Sequence, residues 1–259
     1  MGISFGKITV VGTGPGDIRD LTPRALEAIK SAAVVIGYKT YLREIEGILA
    51  EGQEKLPFGM KDEIRRCETA IEKSMEGKTV ALVSGGDAGI YGMSGLLLEI
   101  MGSRSLLGKI PLEIVPGMPA FCSAAAALGA PIMNDFCVIS LSNLLTPWDE
   151  IEKRLRAASS ADFVIILYNP SSRRRRREFV LAKNILLEKI EGERPVAVVK
   201  AASRPDEAVE ITILEKMDLS GIVSMNSAVI IGNSSTYVKD LYMITRRGYG
   251  NKYNLEAGE

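Results

Sequence analysis

Short apolar runs alternate with helical patterns along most of the chain. The first run, Lys7–Val11, leads into a glycine-rich turn, and a helical pattern follows from Ala25 to Ala32. Further apolar runs lie at 33–36, 79–83, 112–115, 138–141, 163–167, 196–199 and 228–231, and further helical patterns at 62–75, 91–101, 147–157 and 178–191. Continuous apolar strands are typical of sheets that helices cover on both faces, so the pattern predicts α/β layers.

The second half of the chain is less regular than the first. Residues 209–214 alternate like an exposed strand and residues 242–245 predict another, so we expect parallel and antiparallel pairs in this half. The run Pro116–Pro119 interrupts the periodicity near the middle of the chain. We therefore predict two αβα domains, residues 1–116 and 117–259, with a cleft between them that is a favoured place for a small-molecule site.

Charge and histidine content narrow the possible chemistry. The 259 residues carry 32 basic and 32 acidic side chains, a balance that disfavours a dedicated nucleic-acid binder or an attraction of the whole protein to anionic membranes. The chain has no histidine. It therefore lacks the usual general base near neutral pH, the commonest metal ligand, and any Ser/His/Asp or Cys/His arrangement.

Three cysteines, Cys67, Cys122 and Cys137, lie far apart and form no C-x-x-C pair. This spacing disfavours a disulfide framework, a zinc site and a four-cysteine iron–sulfur cluster, so we expect reduced thiols and no bound metal. The first residues show no basic segment followed by an apolar stretch, and no apolar run of about 18 residues occurs. We therefore expect a cytoplasmic protein.

Two glycine-rich loops follow predicted strands. Gly12–Gly16 precedes a helix for which Thr22 is a suitable N-cap and Pro23 a suitable first residue. It lacks the spacing of a dinucleotide-binding or Walker A loop, and a tight turn is one interpretation. Ser84–Gly92 lies at the edge where open α/β sheets bind ligands, and its glycines would let a ligand approach the backbone. Asp87 would either accept hydrogen bonds from a bound group or cap the following helix.

Three other segments carry candidate binding residues. The small residues after Pro119 suit close helix packing or contact with a flat ring such as adenine. Arg173–Arg177 is either a solvated face or a clamp for an anionic small molecule. Thr146–Asp149 has the form of a capping box, in which Trp148 would pack onto the core as a staple or stack on a large planar ligand.

In this order and spacing, the motifs resemble those of the tetrapyrrole methylases, which methylate carbon atoms of corrinoid precursors with S-adenosylmethionine. The shared features lie at 10–17, 84–87, 115–117 and 229–232. The most similar branch of the family methylates C17 of precorrin-3B or cobalt-factor III, with contraction of the ring to (cobalt-)precorrin-4. The motifs that resemble this branch lie at 36–41, 86–93, 144–148 and 168–173.

The resemblance implies a set of site residues and partners. S-adenosylmethionine would bind in the cleft at Gly85, Gly86, Asp87, Ile90, Pro119, Ala120, Tyr168, Asn169 and Ala202. The tetrapyrrole substrate would contact Pro15, Tyr38, Lys39, Thr146, Trp148, Arg173 and Arg174. The candidates for catalytic proton transfer during ring contraction are Asp87, Tyr91 and Lys39. The family also implies a homodimer, and we expect no nucleic-acid or membrane partner.

Two other functions are alternatives to this prediction. A methyltransferase for another corrin carbon is the alternative within the family, because the cofactor motifs do not distinguish one substrate carbon from another. A non-catalytic protein that binds anions or nucleic acid through Arg173–Arg177 is the alternative outside the family.

Overall fold

The computed structural model describes residues 5–171, 176–218 and 221–255. The chain divides into two compact units, Met1–Ala120 and Phe121–Glu259. Each unit contains a sheet with helices packed on both faces, so the predicted α/β class is confirmed. The domain boundary after residue 116 stays a prediction from the sequence.

The first unit is built on a parallel sheet. Its strands are β1 (Ile8–Gly12), β2 (Val34–Tyr38), β3 (Glu54–Phe58), β4 (Val80–Ser84) and β5 (Leu112–Val115). Its helices are α1 (Pro23–Ser31), α2 (Lys39–Glu44), α3 (Glu63–Met75) and α4 (Met93–Ser103). The strand order is β3-β2-β4-β1-β5, and each neighbouring pair in it is parallel.

Side chains of the first sheet alternate between two layers of helices, as the period of two in a strand requires. Val10 and Leu82 belong to the core with α3 and α4. Val11 and Val83 belong to the core with α1 and α2. All four side chains are fully buried, which explains why these strands are continuous apolar runs in the sequence.

Local signals explain some of the element boundaries in the first unit. Thr22 accepts a hydrogen bond from the Ala25 amide at 3.2 Å as the N-cap of α1, and Pro23 is the first helical residue, as predicted. The sequence did not predict β3, because Glu-Lys-Leu-Pro-Phe is not an apolar run. Pro57 has no amide hydrogen, and β3 can contain it because this strand lies at the edge of the sheet. Tyr91, predicted as helical, precedes α4 and has a φ of 52°.

The second unit has a larger set of elements. Its helices are α5 (Ala120–Leu128), which starts at the last residue of the first unit, α6 (Trp148–Ser160) and α7 (Arg177–Leu187). Its strands are β6 (Gly129–Ala130), β7 (Phe136–Ser140), β8 (Val164–Tyr168), β9 (Pro195–Lys200), β10 (Ala208–Ile213), β11 (Ser227–Ile231), β12 (Thr236–Lys239) and β13 (Tyr242–Thr245).

The main sheet of the second unit is mixed, which confirms the prediction for this half of the chain. Its order is β10-β9-β11-β8-β7. Strands β7 and β8 are parallel, β11 is antiparallel to both β8 and β9, and β10 is antiparallel to β9. Strands β7, β8 and β9 therefore point the same way, and their carboxyl ends lie at one edge. A smaller sheet has the order β12-β13-β6.

Helices cover the main sheet of the second unit on both faces. The helices α6 and α7 pack on one face around the fully buried Phe179, and α5 packs on the other. The longest described helices, α3 and α6, have only 13 residues each. Within the described part of the chain, no helix has both the length and the apolar character needed to cross a membrane.

Candidate functional site

The helices that follow two neighbouring strands of the first sheet pack on opposite faces of that sheet. The chain passes from β1 to α1 on one face and from β4 to α4 on the other. Because β1 and β4 are hydrogen-bonded neighbours, their carboxyl ends form a topological switch point, where open α/β sheets bind ligands. Both glycine loops, 12–16 and 84–92, lie at this edge.

Main-chain hydrogen bonds join the two glycine loops. The Gly14 amide donates to the Gly86 carbonyl at 3.1 Å, and the Gly86 amide donates to the Gly14 carbonyl at 2.7 Å. The Thr13 amide and hydroxyl both donate to the Ser84 carbonyl, at 2.9 and 3.2 Å. Gly14 and Gly86 have φ values of 75° and 67°, which glycine adopts at little cost. Backbone therefore fills the space directly between the ends of β1 and β4.

Glycine is also required where three loops touch. A Cβ added at Gly12 would lie 2.5 Å from the Gly117 nitrogen and 2.8 Å from the Gly86 oxygen. A Cβ added at Gly117 would lie 2.3 Å from the same oxygen. These distances are far below van der Waals contact, so the main chains that follow β1, β4 and β5 pack directly on one another. We call Gly12, Gly86 and Gly117 the glycine cluster.

The Asp87 carboxylate holds the second loop in place. Its Oδ1 accepts the Gly89 amide at 2.7 Å, and its Oδ2 accepts the Gly117 amide at 3.1 Å. The helix α4 begins at Met93 after Gly92 and has no side-chain cap. The alternative in which Asp87 caps this helix is therefore wrong, because its carboxylate is bonded within its own loop and to the loop after β5.

Several predicted cofactor residues of the first unit lie together. A Cβ added at Gly86 would lie 3.8 Å from the Ala120 nitrogen and 4.0 Å from the Pro119 Cα, so the second loop runs beside the segment after β5. Gly85 and Gly86 are half-buried, and the Ile90 side chain is 37% exposed. The second loop therefore presents partly accessible main chain at Gly85 and Gly86 and an exposed apolar side chain four positions after Gly86.

An aromatic pair lies against the same loop. The rings of Tyr38, at the end of β2, and Tyr41, in α2, meet edge to face with their centroids 5.5 Å apart. A Cβ added at Gly85 would lie 2.5 Å from carbons of the Tyr41 ring, so this ring packs on the Gly85 main chain. Lys39 is exposed at the start of α2. The predicted substrate residues Tyr38 and Lys39 thus lie next to the loop after β4, since β2 and β4 are paired.

The first glycine loop ends in an ion pair. The Asp17 carboxylate accepts hydrogen bonds from the Arg19 amide at 2.8 Å and from its Nε at 3.0 Å. The Arg19 side chain holds the pKa of Asp17 below its ordinary value. Asp17 also caps the short 3-10 helix Ile18–Asp20. Pro15, predicted to contact the substrate, is buried, so little of its ring is accessible.

The carboxyl edge of the main sheet in the second unit positions Tyr168 and Asn169. The Tyr168 hydroxyl accepts the Phe121 amide at 2.7 Å, near the start of α5. Asn169 has a φ of 51°, and its side-chain amide donates to the Ser140 hydroxyl at 3.0 Å. Both predicted cofactor residues at the end of β8 are therefore held by neighbours within the second unit.

The turn after β9 is strained at two residues. Ala201 and Ser203 have φ values of 51° and 62°, which residues with a side chain rarely adopt. The Ser203 amide donates to Glu207 Oε2 at 2.6 Å. Ala202, predicted to contact the cofactor, lies between them and is only 7% exposed. Strain of this kind is concentrated at functional sites, and it lies here at the edge that β7, β8 and β9 share.

The start of α6 differs from the prediction. Helix α6 begins at Trp148, with Pro147 at its N-cap and no side-chain hydrogen bond there. The predicted capping box is therefore wrong, because the N-cap position belongs to Pro147, which has no side-chain acceptor, and Thr146 lies one residue before it. Trp148 is half-buried and packs on the core of α6, α7 and the main sheet. Arg173 and Arg174 lie outside the described residues.

Tyr41, Gly117 and Ser140 hold the predicted residues in place but were not predicted themselves. Each acts through a contact with a residue that is distant in the sequence. Tyr41 and Gly117 lie in motifs that the sequence shows, yet the motifs do not show what these residues touch. A single sequence gave no signal for the contact that Ser140 makes.

Comparison with known proteins decides the family. Residues 7–218 match the family model described as Tetrapyrrole (Corrin/Porphyrin) Methylases. The chain belongs to this family. The resemblance drawn from the sequence motifs is therefore confirmed, and the matched residues span nearly all of the first unit and much of the second.

Two curated proteins show how this tetrapyrrole methylase relates to others. A probable cobalt-factor III C(17)-methyltransferase of Salmonella typhimurium is 48% identical over 242 residues, which are 93% of this chain and 99% of that protein. A cobalt-factor III methyltransferase of Priestia megaterium is 47% identical over 257 residues, which are 98% of this chain and 47% of that protein. The chain thus spans about half the length of the Priestia megaterium relative.

A solved methyltransferase structure has the same fold. The crystal structure of the methyltransferase CobJ matches with a TM-score of 0.89 and 34% sequence identity. The match covers 93% of this chain and 100% of that chain. Both units of the present methylase therefore have counterparts in that structure.

Proposed function

We propose that this tetrapyrrole methylase transfers a methyl group from S-adenosylmethionine to C17 of cobalt-factor III or precorrin-3B. The ring would contract to (cobalt-)precorrin-4, a step of cobalamin biosynthesis. The observation that carries the proposal is the 48% identity to a probable cobalt-factor III C(17)-methyltransferase, which extends over 99% of that protein. The motifs at 36–41, 86–93, 144–148 and 168–173 support the same assignment.

The surface beside the glycine cluster fits S-adenosylmethionine. Such a ligand carries polar groups that suit main-chain partners and an adenine ring that suits apolar contact. The residues proposed to hold it in the first unit are Gly85, Gly86, Asp87, Ile90, Pro119 and Ala120, and those in the second unit are Tyr168, Asn169 and Ala202. Gly86 supports this fit, because its main chain is half-buried and a Cβ added there would meet no atom outside the adjacent residues closer than 3.8 Å, which leaves room for a ligand.

Positioning is the main task of the protein in such a reaction. When bound, S-adenosylmethionine supplies the methyl group from its sulfonium for in-line displacement by a carbon nucleophile. The chain then has to align the two reacting atoms about 3 to 3.5 Å apart and exclude water, which requires no histidine. The bridge between Gly14 and Gly86 and the two bonds of Asp87 make the loops beside this surface rigid.

The tetrapyrrole carries several carboxylates, which basic side chains can hold. Lys39 is exposed at the carboxyl end of β2, where Tyr38 adds an aromatic surface. Arg173 and Arg174 are proposed as further carboxylate partners, since guanidinium groups pair with carboxylates through two parallel bonds. Pro15, Thr146 and Trp148 complete the proposed substrate set.

Ring contraction needs a proton donor or acceptor, and the chain has no histidine to act as one. Lys39 and Tyr91 are the proposed agents, and their side chains are exposed. Tyr91 is 60% exposed and has a strained φ of 52°. Asp87 was a third candidate from the sequence, but both of its carboxylate oxygens accept main-chain amides. We propose that Asp87 mainly positions the loop.

Product analysis tests the proposed function. Purified protein is incubated with S-adenosylmethionine that carries a ¹³C methyl group, together with cobalt-factor III or precorrin-3B. We expect mass spectrometry to show the gain of one methyl group and NMR to locate the label at C17. A label on another carbon, or no transfer to either substrate, would contradict the proposal. Comparing the two substrates decides whether cobalt is present before methylation.

Two finer points remain proposals. The family resemblance implies a homodimer, and the sequence pattern led us to expect a cytoplasmic location. Sedimentation of the purified protein at micromolar concentration measures the first, and fractionation of cells that express the protein measures the second. A monomer throughout the concentration range, or recovery outside the cytoplasm, would contradict the respective proposal.

A further inference from the structure

The loop between β7 and α6 presents two adjacent leucines to solvent. Leu144 is 71% exposed and Leu145 is 98% exposed. Single exposed apolar residues are common on protein surfaces, but here two large neighbours are exposed together, and the half-buried Trp148 follows three positions after Leu145. We call Leu144, Leu145 and the exposed part of Trp148 the apolar strip.

Several contacts fix the loop that carries this strip. The amide of the buried Leu141 donates to the Tyr168 carbonyl at 2.9 Å, which extends the pairing of β7 with β8. The Ser142 amide donates to the Ser140 hydroxyl at 3.2 Å. At the other end of the loop, Trp148 packs on the core. The exposed leucines are therefore presented from a segment that is anchored at both ends.

The strip is also tied to a basic segment. The Asn143 side chain donates to Glu178 Oε1 at 3.0 Å, and Glu178 lies in the first turn of α7. Arg176 and Arg177, which are both exposed, directly precede Glu178. They end the run of five arginines that begins at residue 173, of which residues 173–175 lie outside the described part of the chain. The hydrogen bond thus places apolar and cationic surfaces side by side within the second unit.

A corrinoid precursor has the matching combination of surfaces. Its macrocycle is broad and apolar on its face, and its side chains carry carboxylates at the rim. We propose that Leu144 and Leu145 contact the face of the tetrapyrrole substrate while Arg176 and Arg177 pair with its carboxylates, so that these residues determine substrate specificity. This inference rests on the proposed function, because it assigns an additional part of the substrate site.

A second copy of the chain is a less suitable occupant. The apolar strip is far smaller than the roughly 800 Å² per partner that a stable protein interface buries. A two-fold contact through this surface would also bring the basic segments of both copies into one interface, and repulsion between like charges would oppose such an association.

Steady-state kinetics on the full chain test the inference. The test variant carries Leu144→Ser and Leu145→Ser, and the matched control carries Leu241→Ser. Leu241 is 82% exposed in the turn between β12 and β13, so the control makes the same chemical change on another surface. We expect the KM for cobalt-factor III to rise about tenfold or more in the double variant, because apolar contact with the ring is lost. The affinity for S-adenosylhomocysteine and the melting temperature should match those of the control.

A second variant tests the charged part of the surface. Arg176→Gln combined with Arg177→Gln should also raise the KM, and its KM should depend less on salt than that of the wild type. The affinity for S-adenosylhomocysteine should again be unchanged. A KM with unaltered salt dependence would show that these arginines do not pair with the substrate.

The outcomes separate this inference from the proposed function. Turnover of cobalt-factor III or precorrin-3B by the wild type decides the proposed function, and the KM is measured with the substrate that the wild type methylates. No turnover of either substrate overturns both the proposed function and this inference. With an active wild type, a KM in the leucine double variant equal to that of the Leu241→Ser control overturns the inference alone. An unchanged KM together with altered sedimentation would assign Leu144 and Leu145 to a contact between copies of the chain, and would likewise overturn the inference that they contact the substrate.

Discussion

Adding one methyl group at Gly117 tests whether the glycine cluster determines the shape of the site. The Cβ of alanine at this position would lie 2.3 Å from the Gly86 oxygen and 2.6 Å from the Gly12 carbonyl carbon. Both neighbours are main-chain atoms, so no side-chain rotation can relieve the overlap. The loops after β1, β4 and β5 have to move apart by about 1 Å to restore normal contact.

This displacement has a cost in stability and in binding. Overpacking of this kind destabilises proteins by about 1–3 kcal/mol, and we expect Gly117→Ala to fall in the upper part of that range. The same movement strains the Gly14–Gly86 bridge, whose bonds are 3.1 and 2.7 Å long. We therefore expect the affinity for S-adenosylhomocysteine to fall about tenfold or more, since a 1.4 kcal/mol loss already gives this factor.

Gly95 provides the matched control. It lies in α4, and a Cβ added there meets nothing within 4 Å. Gly95→Ala should therefore leave binding unchanged and stabilise the protein by about 0.5–1 kcal/mol, because alanine favours a helix. Urea unfolding followed by circular dichroism and titration calorimetry with S-adenosylhomocysteine measure the two effects. If Gly117→Ala matched the wild type in both the free energy of unfolding and the affinity for S-adenosylhomocysteine, the close packing of the three loops would not determine the shape of the site.

Two further predictions concern Asp87 and the cysteines. Asp87→Asn should destabilise the protein by about 1–2 kcal/mol, because the new side-chain NH₂ group would face either the Gly89 or the Gly117 amide, and two donors cannot form a hydrogen bond. The pH profile of activity should stay unchanged. Loss of turnover with unchanged stability would instead make Asp87 a proton-transfer residue. Burial raises the pKa of Cys67 to about 12, so in the folded protein Cys67 should react with a thiol reagent at pH 8 far more slowly than the half-buried Cys122. The buried Cys67 thiol holds its proton more tightly than the same thiol in the unfolded chain, whose ordinary pKa is 9.0. The free energy of unfolding should therefore decrease as the pH rises from about 9 to about 12. Equal labelling rates for Cys67 and Cys122 would contradict the burial of Cys67.

The sequence predicted those parts of the fold that depend on local signals. Thr22 and Pro23 marked the start of α1 correctly, and the apolar runs located β1, β4 and β5. The strand β3 was missed, since a polar run with Pro57 becomes a strand only because β2 offers it an edge. Thr146 failed as a cap because the helix starts one residue later than the capping pattern requires, with Pro147 at the N-cap.

The candidate site was predictable only in its loops. The sequence located both glycine-rich loops and placed Asp87 in one of them. It did not show that the Asp87 carboxylate reaches Gly117, which lies 30 positions further along the chain. Nor did it show that Tyr41 packs on Gly85. Such contacts follow from the strand order of the sheet, which no local pattern encodes.

The strand order also determines when the glycine cluster can form during folding. In the first unit β1 pairs with β4 and β5, and Ile8 lies opposite Val80 and Leu112. These partners are distant from Ile8 in the sequence, so β1 can pair only after they have been synthesised. Parallel pairs of this kind close long loops and form slowly, whereas the second unit contains the local antiparallel hairpin of β12 and β13. On a ribosome, the candidate cofactor surface can therefore assemble only after Gly117 has emerged, at the very end of synthesis of its unit.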